Sequence, residues 1–242
     1  DKVLDFSYAP NGQEIVMSAV QKGMTDVYVY NTRSRTSINI TNDFHDDLQP
    51  AFSKDGKLIY FVSNRDNDTI GRRDDQVINR DGQLDLYSID YPVKDSVLKR
   101  ITNTPQQERM VTWSPDSKKI IYAAERNDNW DIYQTTIVRK EEPYFYASTT
   151  LKEEALINTD AEEFLPKFSP DGKEVAYLEN RNSLKVLNLA TKKTRTLLPL
   201  GRNFSYSDGD INFNWSPDSK YIITSDNYFG FGAAHSAIIQ AD

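Results

Sequence analysis

Hydrophobic and polar residues alternate along this chain in short runs that are separated by turn-forming residues. Near the start, Leu4, Phe6 and Tyr8 are spaced two residues apart. This period is typical of a half-buried β-strand, because successive side chains of a strand point to opposite faces. Similar runs follow at Glu14–Val20 and Asp26–Tyr30, with Gly, Pro or Asn between the runs. The pattern predicts an antiparallel meander of short strands.

One short phrase recurs along the chain and sets its organisation. In the clearest copy, Phe168-Ser169-Pro170-Asp171-Gly172, an aromatic residue ends one strand and the following residues form a tight turn. We call the aromatic residue of each copy the turn aromatic. The five turn aromatics are Tyr8, Phe52, Trp113, Phe168 and Trp215. They recur 44 to 61 residues apart, a spacing typical of one four-stranded propeller blade per repeat.

The repeats predict an all-β fold, a β-propeller of four-stranded antiparallel blades, as one domain over residues 1–242. The predicted blades cover residues 3–42, 48–103, 109–159, 164–199 and 210–242, with long insertions at 65–83 and 137–154. The fifth repeat shows only three strands, which would leave a sheet edge open. We therefore expect an incomplete segment of a larger propeller. A five-bladed ring closed with one short blade is the alternative.

The aspartates of the repeated phrase are predicted to be structural. Asp55, Asp116, Asp171 and Asp218 occupy the turn position at which an aspartate accepts hydrogen bonds from nearby backbone N–H groups. Since they recur in separate blades, they are expected to lie too far apart to form one catalytic or metal site. The turn aromatics are expected to pack between neighbouring blades.

A second set of carboxylates precedes the turn aromatic by five residues. Its members are Asp47, Glu108, Glu163 and Asp210. Strict alternation would place each of them on the face opposite the turn aromatic, where the innermost strand borders an axial channel. We therefore predict that these four residues line the channel as an acidic ring and bind a peptide or a cation. The alternative is that each carboxylate caps its own loop.

Few other residues suggest a catalytic or metal-binding site. The insertion at 65–83 is rich in aspartate, but its spacing does not fit a calcium-binding loop and its arginines are expected to pair with the aspartates. The two histidines, His45 and His235, fall in different blades, and there is no cysteine and no Gly-x-Ser-x-Gly motif. We predict no catalytic residues, no metal and no cofactor within this segment.

Charge and hydropathy narrow the choice of partners. The net charge of −7 argues against binding to a nucleic-acid backbone, which needs a basic surface. No apolar run approaches the roughly 20 residues that span a bilayer. We therefore expect a peptide or protein partner, with no nucleic acid and no membrane insertion.

The repeats resemble those of a known group of propellers. Three short patterns recur in the repeats, and they are seen most clearly as Ser-Pro-Asp-Gly-Lys at 169–173, Asp-Leu-Tyr at 85–87 and Ile-Thr-Asn at 101–103. Together they are similar to the WD40-like repeat of the periplasmic TolB proteins and of tricorn-type serine peptidases. More distantly, they resemble the propellers of dipeptidyl-peptidase and prolyl-oligopeptidase enzymes. The segment from Ser205 to Lys220 and the long insertion of the second blade look most like the tricorn type.

The resemblance implies two functions. The leading hypothesis is a non-catalytic propeller module of a tricorn-like serine peptidase, which gates or guides peptides to a catalytic domain in a longer chain. The alternative is a TolB-like scaffold that docks partner proteins in an envelope or secretion complex. The resemblance to TolB implies a periplasmic location in a Gram-negative bacterium. Whether the parent protein is an enzyme stays open at this point.

Overall fold

The structure is a computed structural model, and it describes residues 2–66, 70, 83–95, 98–103, 106–116, 118–137, 151–181, 183–198, 212–226 and 235–241. These residues form nineteen strands and no helix, which confirms the predicted all-β class. No described helix has the length and hydropathy needed to cross a membrane.

The strands build five antiparallel sheets in chain order. The first sheet contains β1 (Lys2–Tyr8), β2 (Glu14–Gln21), β3 (Met24–Asn31) and β4 (Thr36–Asn39). The second contains β5 (Asp47–Phe52), β6 (Leu58–Ser63), β7 (Asp85–Asp90) and β8 (Lys99–Arg100). The third contains β9 (Glu108–Trp113), β10 (Lys119–Arg126), β11 (Asn129–Ile137) and β12 (Leu151–Ile157).

The last two sheets continue the same order. The fourth contains β13 (Glu163–Phe168), β14 (Glu174–Glu179), β15 (Ser183–Asn188) and β16 (Thr194–Leu198). The fifth contains β17 (Asn212–Trp215), β18 (Tyr221–Asp226) and β19 (His235–Gln240), and it has three strands among the described residues. Each strand pairs with its neighbour in sequence, as predicted for blades. That the chain is part of a larger propeller stays a prediction.

One strand begins earlier than the sequence indicates. We predicted an insertion over residues 137–154, but β12 already starts at Leu151. The residues in between are charged, and such a run indicates a loop. In the structure these side chains belong to an edge strand, where Glu153 accepts a hydrogen bond from Tyr122 and Glu154 accepts one from Gln134 at 2.7 Å.

The chain divides into two compact units, with the boundary inside β9. In the first unit, apolar side chains of the first sheet, such as Val16 and Val27, form one core with Phe52 and Ile59 of the second sheet. In the second unit, Ile121 of the third sheet shares a core with residues of the fourth sheet such as Tyr177. Consecutive sheets within a unit thus pack face to face.

The repeated phrase forms the same turn in several sheets. In the fourth sheet the hydroxyl of Ser169 donates to Asp171 at 2.7 Å, and its oxygen accepts from the amide of Glu174 at 3.0 Å. Gly172 has a φ of +73°, a conformation that costs glycine little. The other three turn aspartates accept an equivalent hydrogen bond: Ser53 to Asp55, Ser114 to Asp116, and Ser216 to Asp218. The serine bond lowers the pKa of Asp171 and of Asp218.

Candidate functional site: buried carboxyl groups at the sheet junctions

The first strands of the second and fourth sheets contain a β-bulge that changes which way their side chains face. In β5 the pairing with β6 shifts between Leu48 and Ala51, and Gln49 has a φ of +53°. In β13 the pairing with β14 shifts in the same place, and Leu165 has a φ of +50°. A bulge inserts one extra residue, and it reverses the alternation of the side chains beyond it.

The bulge overturns the predicted orientation of two carboxylates. Asp47 pairs with Ser63 and Phe52 pairs with Ile59, four residues apart on the same partner strand. Residues directly opposite each other share a face, so Asp47 lies on the same face as Phe52 rather than on the opposite face. In β13, Glu163 pairs with Glu179 and Phe168 pairs with Val175. Glu163 therefore also lies on the same face as Phe168. Strict alternation from the turn aromatic was therefore a wrong assumption.

The predicted carboxylates are buried wherever the structure describes them. Asp47, Glu108 and Glu163 each have no exposed surface, and Asp210 lies outside the described residues. Each of the three lies beside an aspartate from the third strand of the preceding sheet. That aspartate is Asp26 for Asp47, Asp85 for Glu108, and Asp131 for Glu163. Their binding to peptides stays a prediction.

A buried arginine organises the junction between the first and second sheets. Arg65 follows β6, and its guanidinium donates to Asp47 at 2.6 and 2.8 Å and to Asp43 at 3.1 Å. Its Nε donates to Ser63 at 2.9 Å. The guanidinium also lies over the ring of Phe61, at 5.6 Å. Arg65 thus supplies the positive charge that offsets part of this acidic cluster.

Asp26 extends the same cluster toward the first sheet. It accepts hydrogen bonds from Asn39 at 2.9 Å, from the hydroxyl of Thr41 at 3.3 Å and from the amide of Asp43 at 3.1 Å. Carboxylate oxygens of Asp26, Asp43 and Asp47 lie within 4.8 Å of one another, a spacing that can hold a metal ion. Since Arg65 already binds two of the three carboxylates, the geometry fits an internal ion-pair network best.

The first unit contains a second buried acidic cluster, with a threonine at its centre. The hydroxyl of Thr102 lies 3.2 Å from Asp85 and 2.9 Å from Glu108. Its oxygen accepts from the amide of Leu86 at 2.8 Å. The hydroxyl has a single proton, so it donates to one carboxyl group at a time. Arg100 pairs with Asp85.

The junction between the third and fourth sheets contains two neighbouring carboxyl groups. Asp131 accepts from Asn129 and Asn158, each at 3.1 Å, and Glu163 accepts from the hydroxyl of Thr159. Burial, followed by the facing Asp131, raises the pKa of Glu163 to about 7. Glu163 therefore changes its charge near neutral pH.

Burial raises the pKa of the aspartates at the first junction and lowers the pKa of the histidine. It raises the pKa of Asp47 to about 6, although Arg65 acts against the shift, and it raises the pKa of Asp43. Burial, with the nearby Arg65 charge, lowers the pKa of His45, which therefore stays neutral at pH 7. In the first unit, the cluster of Asp26, Asp43, Asp47 and Arg65 connects the first sheet to the second. His235 has no described side chain.

The sequence located one member of each pair and missed the other. Counting back from the turn aromatic found Asp47, Glu108 and Glu163, whereas Asp26, Asp85 and Asp131 were treated as ordinary strand residues. Their signal was present in the repeated Asp-Val-Tyr, Asp-Leu-Tyr and Asp-Ile-Tyr of the third strands. Arg65 carried a similar signal, because an arginine stands thirteen residues after the turn aromatic in three repeats, at Arg65, Arg126 and Arg181. Most of the Asp-rich insertion at 65–83 lies outside the described residues.

Comparison with known proteins identifies the fold. No family model matches the chain. Tol-Pal system protein TolB of Helicobacter pylori is 23% identical over 184 residues, 72% of this chain and 36% of that protein. Dipeptidyl-peptidase 5 of Porphyromonas gingivalis is 30% identical over 146 residues, 55% of this chain and 19% of that protein. The chain therefore spans only about a fifth to a third of these curated relatives.

Solved structures agree with this similarity. TolB from Acinetobacter baumannii superimposes with a TM-score of 0.72 and 19% identity, covering 100% of this chain and 52% of that one. The putative TolB from Agrobacterium tumefaciens gives a TM-score of 0.66 and 16% identity, covering 99% of this chain and 77% of that one. The predicted fold is confirmed: the chain has the fold of a TolB-like β-propeller.

Proposed function

We propose that this chain is a non-catalytic propeller module that binds peptides and guides them to a serine-peptidase domain of a longer, tricorn-like protein. The observation that carries the proposal is an exposed apolar surface on the first sheet. Leu4, Phe6 and Tyr8 are all exposed there, and the rings of Phe6 and Tyr8 pack edge to face at 6.2 Å. Exposed patches of this kind are typical of surfaces that bind another protein segment.

Comparing the first sheet with the second indicates what this patch contacts. Phe52 has the same place in the second sheet as Tyr8 in the first, and Phe52 is buried against the first sheet. The positions that contact a preceding sheet are therefore apolar and uncovered in the first sheet. We infer that a partner protein, or a further domain of the parent protein, packs on Leu4, Phe6 and Tyr8. The similarity to a dipeptidyl-peptidase supports a peptidase as the parent.

The second candidate is a TolB-like scaffold that docks partner proteins in an envelope complex. The longer alignment to TolB and the close superposition on its structure favour it. A periplasmic location in a Gram-negative bacterium belongs to both proposals. In neither does the segment use a cofactor, a metal or a nucleic acid.

Peptide binding is tested with a tryptic digest of reduced, alkylated casein passed over the immobilised 242-residue chain. An unrelated all-β protein of similar net charge on a matched column is the control. We expect a subset of peptides to be retained by the chain and not by the control, with micromolar affinity when measured singly. Equal retention on both columns would contradict the proposed function.

The choice between the two candidates is tested by the coding sequence that flanks residues 1–242. A serine-peptidase region in the same reading frame supports the peptidase module. An α/β domain of the TolB type in that frame supports the scaffold and overturns the peptidase proposal.

A further inference from the structure

A short loop joins the third sheet to the fourth, and polar contacts bind it to both. This loop, residues 159–162, lies between β12 and β13, and we call it the junction loop. The hydroxyl of Thr159 accepts from the amide of Ala161 at 3.1 Å and donates to Glu163, the first residue of β13. The side-chain amide of Asn129, in β11, donates to the carbonyls of Thr159 and Ala161 at 3.0 and 3.1 Å. The junction loop is therefore fastened between β11 and β13.

The far end of the junction loop is bound separately, to the turn that follows β14. The amide of Glu162 donates to the side-chain oxygen of Asn180 at 3.2 Å. The amide of Asn180 donates back to the carbonyl of Glu162 at 2.7 Å. These two bonds involve no carboxyl group, so they mark a fixed end of the loop.

Two buried carboxyl groups lie where the junction loop meets the third sheet. Glu163 has no exposed surface, and Asp131 is 3% exposed. The two groups lie close enough for a hydrogen bond between them, and the Oε2 atom of Glu163 accepts none from the residues that the structure describes. Two ionised carboxylates so close together and so well shielded from water repel each other strongly.

The other titratable groups that face Glu163 do not supply a positive charge. Glu179 is its cross-strand partner in β14, and it pairs with Lys185 of β15. Tyr177 also lies in β14, and burial raises its pKa to about 12, so its phenol is neutral. The charge of Glu179 adds to that of Asp131 and disfavours the ionised form of Glu163.

The arginines of the neighbouring turns contact other groups. Arg126, at the end of β10, pairs with Glu153 at 3.5 Å. Arg181, in the turn after β14, lies over the ring of Phe164 at 4.7 Å. Within the described ranges, no lysine or arginine forms an ion pair with either carboxyl group under the junction loop.

The second sheet has a cation at the place that lacks one here. Asp47 and Glu163 both lie five residues before a turn aromatic, and Arg65 and Arg181 both lie thirteen residues after one. Arg65 binds Asp47 at 2.6 and 2.8 Å. Arg181 instead lies in the short turn between β14 and β15, where its φ is +64° and its side chain is exposed. Glu163 therefore lacks the counter-charge that Asp47 has.

We propose that the junction loop is a pH-sensitive latch, fastened to the third sheet while Glu163 is protonated and released from it when Glu163 ionises. A protonated Glu163 can donate to Asp131 and still accept from Thr159. An ionised Glu163 cannot donate, and water stabilises the two carboxylates once the loop opens. The pKa of Glu163, about 7, places this change near neutral pH. The inference goes beyond the proposed function and does not depend on it.

The first test uses a spin label, because the chain has no cysteine and a single introduced cysteine is labelled uniquely. Asp160→Cys puts the label on the exposed middle of the junction loop, and Thr191→Cys puts a control label on the exposed turn between β15 and β16. Electron paramagnetic resonance spectra are recorded from pH 5.5 to pH 8.5. We expect the correlation time of the loop label to fall about threefold, with a midpoint near pH 7, and that of the control label to change by less than about 1.5-fold.

Variants of the carboxyl pair test the cause of this change. Glu163→Gln cannot ionise and its amide can donate to Asp131, so the loop label should stay slow at every pH. Asp131→Asn removes the facing charge and should also keep the loop fastened at pH 8.5. Glu162→Gln is the matched control, because it makes the same chemical change at an exposed residue of the loop. It should keep the wild-type response.

A second measurement needs no variant. In NMR spectra of the unlabelled chain, the side-chain amide of Asn129 reports the contact with the junction loop, and the backbone amide of Asn180 reports its fixed end. We expect the Asn129 signal to shift with a midpoint near pH 7 and the Asn180 signal to stay in place.

The outcomes decide the latch on their own. Equal mobility of the loop label at pH 5.5 and pH 8.5 overturns it, and so does a wild-type response in Glu163→Gln. Parallel loosening of the control label also overturns it, because a wider part of the protein would then be unfolding. Retention of casein peptides is a separate measurement, so these results leave the proposed function to its own test.

Discussion

Residues at equivalent places in the repeat have very different surroundings. Phe52 is 8% exposed and packs in the core shared by the first two sheets, whereas Tyr8 is 61% exposed. The two side chains are similar in size, and each precedes a turn with the same backbone hydrogen bonds. Only their neighbours differ, so their energetic contributions should differ as well.

Replacing the two turn aromatics measures this difference. Phe52→Ala should lower the free energy of unfolding by about 3–5 kcal/mol, because it leaves a cavity in a packed core. Tyr8→Ala should change it by no more than about 0.5 kcal/mol, since the side chain is largely in water. Urea denaturation of both variants is the measurement. A large loss for Tyr8→Ala would show that its ring is covered in solution.

The raised pKa of Glu163 predicts an unusual dependence of stability on pH. Its folded pKa, about 7, lies above the ordinary value of 4.5, so the folded state binds more protons between these values. Its contribution to stability is therefore greatest at low pH and is lost as the pH rises through 7. Glu163→Gln removes this titration, and its amide can donate to Asp131. We expect the variant to be about 1–3 kcal/mol more stable than the wild type at pH 8.

The exposed neighbour Glu162 offers a matched control, because Glu162→Gln makes the same chemical change at the surface. Free energies of unfolding are compared at pH 5 and pH 8. The account predicts that only Glu163→Gln flattens the profile. Parallel profiles for the wild type and Glu163→Gln would show that Glu163 is ionised throughout.

At the scale of strands and loops, the junctions between sheets combine apolar cores with buried polar clusters. Asp26 in β3 and Asp47 in β5 come from consecutive sheets, and Arg65 follows the adjacent strand β6. A buried cluster of this type penalises any packing that separates its members, because each would then be a buried charge without a partner. It therefore fixes how consecutive sheets meet.

Removing the central cation tests the role of the cluster. Arg65→Met keeps most of the side-chain volume but leaves Asp43 and Asp47 without their guanidinium, and it should cost about 3–5 kcal/mol of stability at pH 8. Arg100→Met is the comparison, since Arg100 pairs with Asp85 but is partly exposed, and it should cost less. Thermal and urea unfolding of both variants are the measurements. Equal losses would contradict a special role for Arg65.

The sequence predicts the elements well because their signals are local. The turn formed by Ser169, Asp171 and Gly172 depends on residues that are adjacent in the chain, and the strands on either side show the expected periodicity. The carboxylate positions were also found, because they recur at a fixed distance from the turn aromatic. The repeated phrase therefore allowed us to predict both the fold and the positions of the candidate residues.

The surroundings of those residues could not be predicted, for a physical reason. The bulge at Gln49 places a non-glycine residue at positive φ. Pro50 follows it and signals a break in regular pairing, but a proline does not show which face the residues before it take. One inserted residue was enough to move Asp47 to the face that meets the first sheet. Arg65 was expected to pair within the Asp-rich insertion, but its partners Asp43 and Asp47 lie 22 and 18 residues earlier.

At the scale of the whole molecule, the fold is that of a TolB-like propeller, while the proposed function depends on an exposed surface of the first sheet. The chain is similar in sequence to both a dipeptidyl-peptidase and TolB proteins, and the buried clusters are compatible with either proposal. The exposed surface is the apolar patch at Leu4, Phe6 and Tyr8. Binding of a partner segment at this patch is the central claim.

Retention of casein peptides by the full chain and by its Phe6→Ser variant tests that claim most directly. The account predicts that the variant retains fewer of these peptides, because Phe6 contributes a large part of the exposed apolar patch. Equal retention by the two proteins would contradict it.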